Sequence, residues 1–263
     1  WITGTRLLAW NQDSDYDPNV KPIPTTKDKQ RSTKQHCVVY SIDLKMHSVT
    51  PLINKDGMSI TNVIVSKNRQ LFAVVMNGFI VSIYLSNNQK CPYLLGTSTF
   101  PYEVIATFMN DIVVMIHPTT YQLMVTAPID MRKPTLVHAG KKKLAIKSSY
   151  GSITCANGCS KGIFLGTSRG FILKVEAATY AIVEIHQMEK SIVRFRWTSV
   201  SKKDTSFLAT DSSGSTIMVN DEGYVTKISG HFYNAIPITP LLMIGTRLDK
   251  DQQLPNNQSN NLE

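Results

Sequence analysis

A β-hairpin motif that recurs along the chain constrains the fold more than any other feature of the sequence. It is clearest at 162–176, GIFLGTSRGFILKVE, which predicts two short strands around a tight turn. In the second strand, Gly170 is followed by apolar residues three and five positions later, Leu173 and Val175. The same spacing recurs twice, as Gly78, Val81 and Ile83 and as Gly214, Ile217 and Val219. The chain is therefore predicted to repeat one β unit.

The spacing between hairpins indicates the size of the repeated unit. Gly78 and its equivalent, Thr120, lie 42 residues apart, Thr120 and Gly170 lie 50 apart, and Gly170 and Gly214 lie 44 apart. A repeat of about 40 to 50 residues with four short strands is typical of β-propeller blades, which stack because one sheet cannot bury its own faces. No stretch shows helical periodicity. The prediction is an all-β propeller.

Turn sequences divide the chain into blades. A first, partial blade holds three strands, among them 1–10 and 36–44, and two strands at 234–238 and 241–246 end the folded part. Four complete blades lie between them, with strands at 59–66, 70–76, 79–85 and 93–98; 103–109, 111–117, 121–127 and 135–138; 152–156, 162–167, 171–176 and 181–187; 192–198, 206–210, 216–220 and 224–229. Five to six blades are therefore visible.

We expect one propeller domain over residues 1–246. Residues 11–35 are polar, hold three prolines and are predicted to be a flexible insertion in the first blade. Residues 247–263 are predicted to be a disordered polar tail. Because the chain begins at Trp1, inside a predicted strand, we expect a fragment whose upstream residues complete a seven-bladed ring. The alternative is an open ring that a partner completes.

The hairpins resemble those of WD-repeat β-propellers. Blades of that family carry a strand, an Asp-Gly-type turn, a strand ending near Trp-Asp, and a Gly-His before the next blade. FLGTSRGFILKV, FLATDSSGSTIMV and AVVMNGFIVSIY match the strand, turn and strand, and Gly230-His231 matches the junction. The Trp-Asp position holds Tyr84, Glu176 or Asn220 instead. The resemblance covers nearly the whole chain and implies a WD-repeat-like propeller.

Composition and motifs argue against several classes of function. The six histidines are scattered, and the sequence holds no G-x-S-x-G, P-loop or H-E-x-x-H pattern. Cys155 and Cys159 form a C-x3-C pair without a second pair to complete a zinc site. We therefore expect no enzyme activity, no metal, no cofactor and no small-molecule substrate. Four cysteines without a secretory signal favour an intracellular protein, in the cytoplasm or nucleus.

Basic residues are the candidate binding site, because the net charge of +9 favours anionic partners. The candidates are Lys141, Lys142 and Lys143 in a predicted loop between blades, Arg194 and Arg196 in the segment IVRFRW, and Lys202 and Lys203. Arginines interleaved with aromatics can hold phosphates and stack bases. The alternative, which we favour, is a strand whose Val193, Phe195 and Trp197 face the core and whose arginines face solvent.

Two functions follow as hypotheses. The first is a non-catalytic protein–protein interaction scaffold, a subunit of an intracellular multiprotein complex, because the loops of a rigid propeller offer several binding surfaces. On this hypothesis, the insertion at 11–35 is a docking segment for a protein partner. The second is a propeller that uses its basic surface to bind nucleic acid or an acidic phospholipid membrane.

Overall fold

The computed structural model describes residues 6–10, 36–43, 47–56, 58–66, 68, 70–86, 93–129, 136–197, 206–220, 222–239 and 242–247. The predicted insertion at 11–35, the lysines at 202 and 203, and the tail from 248 onward lie outside this set. The described residues form strands and one short 3-10 turn, Ser148–Tyr150. Among them, no helix has the length and apolar character needed to cross a membrane.

The described strands form five sheets in which neighbours in space are also neighbours in sequence. A three-stranded sheet contains β1 (Arg6–Trp10), β2 (His36–Asp43) and β3 (Ser48–Asp56). Two four-stranded sheets follow: β4 (Ile60–Val65), β5 (Leu71–Met76), β6 (Ile80–Leu85) and β7 (Tyr93–Thr99), then β8 (Ile105–Met109), β9 (Ile112–Ile116), β10 (Gln122–Thr126) and β11 (His138–Lys143).

The remaining two sheets complete the described strands. One contains β12 (Ile153–Cys159), β13 (Gly162–Thr167), β14 (Phe171–Glu176) and β15 (Ile182–Gln187). The other has five strands: β16 (Ile192–Trp197), β17 (Ser206–Asp211), β18 (Ser215–Asn220), β19 (Val225–Thr239) and β20 (Leu242–Arg247). The four complete blades predicted from the sequence are therefore confirmed, each as a sheet of consecutive strands.

The recurring glycine has a conformational reason. Gly78, Gly170 and Gly214 adopt φ values of 75°, 83° and 83°, a left-handed conformation that costs glycine little because it has no Cβ. In the blade where Thr120 takes the equivalent place, the next residue, Tyr121, adopts a φ of 59°. The turn between the second and third strands thus requires a positive φ, and glycine supplies it in three of these four blades.

The described residues as far as Ala145, with Gly158–Gly162, form one compact unit, and β5 shows how its sheets pack. All six residues of β5 are buried. Its odd-numbered residues enter one apolar cluster with residues of β8 and β9, and its even-numbered residues enter another with Val39 and Ile53 of β2 and β3. The members from β5 are Leu71, Ala73 and Val75 in the first cluster and Phe72, Val74 and Met76 in the second. The sheet β4–β7 is therefore covered on both faces, as in stacked blades.

Residues 146–157 and 163–263 form the second unit, which also stacks two sheets. The rings of Phe164 in β13 and Phe207 in β17 lie 4.7 Å apart between centroids. Phe195 in β16 meets the same Phe207 ring edge-on at 4.9 Å. Near these rings, the Thr154 hydroxyl donates a hydrogen bond to the carbonyl oxygen of Ile192. Aromatic packing and this bond join the sheet β12–β15 to the sheet β16–β20.

Strand β19 differs from the prediction. It runs without interruption through 225–239 and joins two strands predicted at 224–229 and 234–238. Its first part pairs with β18 as far as His231, and from Phe232 onward it pairs with β20. Gly230, two residues before the change of partner at Phe232, has a φ of 111°. The apparent break in the sequence is therefore a change of partner within one strand.

Candidate functional site

Strand β11 carries the candidate residues Lys141, Lys142 and Lys143, which the sequence analysis placed in a loop between blades. That placement is wrong, because the three lysines pair with Met124, Leu123 and Gln122 of β10. The fourth strand of this blade, predicted at 135–138, is His138–Lys143 instead. All six residues of β11 are exposed, and the strand lies at the edge of its sheet. Lysines are common on edge strands because their charge discourages uncontrolled pairing with other chains. A lysine run can therefore form a strand here and keep its charges in water.

The three lysines do not share one face of the sheet. Side chains alternate along a strand, and directly paired residues on neighbouring strands project to the same face. Lys141 and Lys143 therefore share a face with Met124 and Gln122, while Lys142 shares the opposite face with Leu123. Met124 packs against the apolar cluster of β5 and β8, so the face of Lys141 and Lys143 is the one turned toward the sheet β4–β7.

A groove of about 780 Å³ lies on that face. It is lined by Thr97, Ser98, Thr99, Phe100, Pro101, Tyr102, Gln122, Met124, His138, Ala139, Gly140 and Lys141. None of these lining residues is acidic, and Lys141 is the one with a permanent charge. The groove is therefore basic and of mixed polarity.

Strand β7 and the segment leading into β11 are in contact beside the groove. A Cβ placed on Gly96 would lie 2.9 Å from Cδ2 of Leu136, so these residues are in close contact. Two residues further along, the Ser98 hydroxyl and Nε2 of His138 are 3.1 Å apart and hydrogen-bonded. Beyond these contacts the lining continues to Tyr102 on one side and Lys141 on the other.

The aromatic rings beside the groove already have partners. Phe100 is buried, and its ring lies 5.9 Å from that of Tyr102. Tyr102 in turn packs against the ring of His117, with centroids 4.4 Å apart. These contacts cover part of the aromatic surface beside the groove and reduce the area on which a base could stack.

Strand β16, in the second unit, places the candidate arginines. Phe195 packs on Phe207, as expected for a core-facing residue, and Arg196 is exposed. Although Arg196 keeps exposed surface, partial desolvation by the surrounding protein, followed by the positive charge of Arg194, lowers its pKa. The expectation that Val193 faces the core is wrong, since its side chain is 48% exposed. The pairing with β17 skips Val193, and this bulge turns it outward.

The cysteines do not form a metal site in the part of the chain that the structure describes. No group of three or more His, Cys, Asp or Glu residues there is arranged to hold an ion. Cys159 is buried. The Cys155 sulfur packs closely on Gly166, since a Cβ on that glycine would lie 2.6 Å from it. Burial raises the pKa of the Cys155 thiol to about 12. Such a thiol is a poor nucleophile, because the thiolate is the reactive form.

Sequence reasoning missed most of the groove. Ser98, Gln122, Met124 and His138 come from three separated strands, and no local pattern links them. The lysine run was the one available signal, and it was assigned to a loop rather than to the edge strand that it forms. Lys202 and Lys203 lie outside the described residues, so the structure neither adds them to a site nor removes them from one.

Comparisons with known proteins identify the fold. No protein-family model matches the sequence, and no curated protein matches it. Among solved structures, a chain of the mitotic checkpoint complex aligns with a TM-score of 0.55 and 12% identity, over 78% of this chain and 64% of that one. The β-propeller domain of Cps50 (Swd1) from Myceliophteria thermophila aligns with a TM-score of 0.50 and 17% identity, over 71% and 60%. A structural genomics protein of unknown function from Bacteroides thetaiotaomicron aligns with a TM-score of 0.50 and 10% identity, over 77% and 62%.

These alignments place the protein in the class of β-propellers. The predicted resemblance to WD-repeat-like propellers is thus confirmed at the level of the fold, and the described blades are all-β as expected. The chain spans about three fifths of the length of the solved structures that it matches.

Proposed function

We propose that this protein is a non-catalytic interaction scaffold, a propeller subunit of an intracellular multiprotein complex. The observation that carries the proposal is the row of exposed lysines on the edge strand β11, beside a groove that contains no carboxylate. Such a surface is suited to holding a partner of opposite charge. One of the solved matches supports a role in assembly by analogy, since its structure is that of the mitotic checkpoint complex.

The groove chemistry favours binding over catalysis. Among the lining residues, Ser98 and His138 form the one hydrogen-bonded pair of a hydroxyl and an imidazole that resembles a nucleophile with its base. A serine nucleophile needs its histidine to be oriented by a third group, usually a carboxylate, and none lines the groove. Ser98 is also buried, so a substrate carbonyl could not reach its oxygen without rearrangement.

Quantitative affinity purification tests the proposed function. The tagged protein is isolated from its native cells at low and at moderate salt, after chemical cross-linking, and its companions are measured by mass spectrometry. A scaffold subunit is expected to retain a fixed set of proteins in near-equal amounts, cross-linked to the propeller. Recovery of the protein without any stoichiometric companion, from cells in which it is folded, would contradict the proposal.

Binding of nucleic acid or an acidic membrane is the second candidate, favoured by the net charge of +9. It predicts affinity that falls steeply with salt, because counterions released from the polyanion drive such binding. The packing of Phe195 and Tyr102 against other rings counts against base stacking by these residues. Titration with single-stranded RNA and with phosphatidylserine vesicles over a salt series distinguishes this candidate from the scaffold.

A further inference from the structure

We propose that the groove beside β11 binds an extended acidic segment of a partner protein, with its carboxylates on Lys141 and Lys143. The inference rests on the proposed scaffold function and adds to it the place, shape and charge of the bound segment. The partner segment is identified here by its chemistry: a strand-like peptide with acidic residues at every second position.

The spacing of the two lysines indicates that the bound segment is extended. Lys141 and Lys143 are two residues apart on one strand and project from the same face. Alternate residues of a strand are separated by roughly 6.5 to 7 Å along its axis. An extended peptide has the same repeat, so its residues i and i+2 can place one carboxylate opposite each lysine. A helical peptide places side chains on one face at intervals of three or four residues, which does not fit this spacing.

The lining of the groove offers both apolar and polar surface to such a segment. Met124 and Gln122 are half-buried on the same face as the two lysines and offer an apolar surface and an amide. On the opposite side, 97–102 provides the end of β7 and a short loop, with Pro101 exposed. A segment of about six extended residues spans such a lining at roughly 3.3 Å per residue. Its acidic residues at i and i+2 lie toward the lysines, and the residue between them projects to the opposite side of the peptide, so its charge is not constrained by this face.

The ring packing and the placement of the lysines favour an acidic protein segment as the ligand over a nucleic acid or a membrane. A nucleic acid bound as a single strand relies on free aromatic faces, whereas Phe100, Tyr102 and His117 pack against one another. A membrane surface needs a cluster of four or more basic residues on one side, whereas β11 divides its three lysines between two faces. Lys141 in the groove lining and Lys143, two residues further along the same face, suit two carboxylates of a peptide.

The test uses the full 263-residue chain and a phage-displayed library of random dodecapeptides. The strongest enriched peptide is then synthesised, and its affinity is measured by fluorescence anisotropy. The groove-facing variant, Lys141→Glu/Lys143→Glu, reverses the charge of the lysine that lines the groove and of the next lysine on the same face. The matched control, Lys142→Glu/Lys147→Glu, makes the same charge change at two exposed lysines, one on the opposite face and one after the strand. Circular dichroism and thermal unfolding show that each variant is folded.

We expect enriched peptides to carry acidic residues two positions apart. We expect the groove-facing variant to weaken the peptide by about tenfold or more, and the control by no more than about twofold, because charge pairs act mainly at short range. The neutral variant Lys141→Gln/Lys143→Gln is expected to lie between the wild type and the glutamate variant.

Several outcomes would overturn the inference: no enriched peptide, enriched peptides without carboxylates, equal losses in the two charge-reversed variants, or a decauridylate that displaces the peptide and binds with the same variant dependence. The scaffold proposal is judged separately. If stoichiometric companions remain bound to the Lys141→Glu/Lys143→Glu protein and no acidic peptide is selected, the groove is not the docking site, while the scaffold function stands.

Discussion

Phe164 and Phe207 pack against each other at 4.7 Å, each from the second strand of its own sheet, and both side chains are fully buried. Their contact joins two neighbouring sheets of the second unit. In the first unit, β5 contributes alternate residues to two apolar clusters. Second strands are thus buried on both faces, and this burial stabilises blades that could not fold as single sheets.

Replacing Phe207 by alanine should destabilise the protein strongly. The side chain has no exposed surface and contacts the rings of both Phe164 and Phe195. Burial of this kind predicts a loss of about 3 to 5 kcal/mol in the free energy of unfolding, measured by urea denaturation. Tyr224→Ala is the control, since Tyr224 is 73% exposed and its removal should cost about 0.5 kcal/mol or less. Equal losses in the two variants would contradict the packing described here.

Two glycines give a matched pair of alanine substitutions. A Cβ on Gly158 would lie 1.9 Å from the carbonyl oxygen of Phe108, whereas a Cβ on Gly140 would meet nothing within 4 Å. The Gly158 N–H also donates a hydrogen bond to the Thr107 hydroxyl at 3.0 Å. Gly158→Ala is therefore expected to lower the free energy of unfolding by about 1 to 3 kcal/mol. Gly140→Ala should be neutral or stabilising by up to about 1 kcal/mol, and a larger loss at Gly140 than at Gly158 would count against the structure.

Asp211 organises the turn between β17 and β18. Its Oδ1 accepts hydrogen bonds from the N–H and hydroxyl of Ser213, at 2.9 and 2.6 Å, and from the N–H of Ser215 at 3.0 Å. Because Asp211 is buried, Asp211→Ala leaves these donors without their acceptor and should cost about 2 to 3 kcal/mol in thermal or urea unfolding. Asp211→Asn keeps a side-chain oxygen and should lose less. An asparagine variant as unstable as the alanine variant would refute this role for the oxygen.

The Cys155 thiol should make the free energy of unfolding depend on pH in the alkaline range. Burial raises its pKa from 9.0 to about 12 in the folded protein. Between these values the unfolded chain releases the proton while the folded chain retains it, so stability falls as pH rises. The free energy of unfolding of the wild type should therefore decline more between pH 8 and about 10.5 than that of Cys155→Ala. Parallel declines in urea titrations would show that the thiol is not desolvated.

Local sequence patterns predict the strands well where alternation and turn glycines agree. The bounds of β13 and β14 match the prediction at both ends, and Gly170 between them has the positive φ that the turn requires. The lysine run was misplaced because charge alone does not separate a loop from an exposed edge strand; only the pairing with β10 does. The outward turn of Val193 depends on a bulge, which leaves no signature in a short apolar and basic segment.

The groove could not be predicted at all from local patterns. Its walls come from residues 97–102 and 138–141, which meet only after two sheets have stacked. Contacts such as Gly96 with Leu136 and Ser98 with His138 are properties of that stacking. A predicted strand contains the residues of such a site but does not tell which of its faces another sheet will cover.

Hydrogen exchange followed by mass spectrometry tests the central claim most directly, which is that stacked blades bury their second strands while β11 remains an exposed edge strand. In the sheet β8–β11, residues 113–116 of β9 are buried and all of β11 is exposed. We expect the amides of β9 to exchange at least about 100-fold more slowly than those of β11, because protection follows local burial. Equal protection of the two strands, or faster exchange in β9, would contradict the stacked-blade structure and the open edge on which the proposed binding depends.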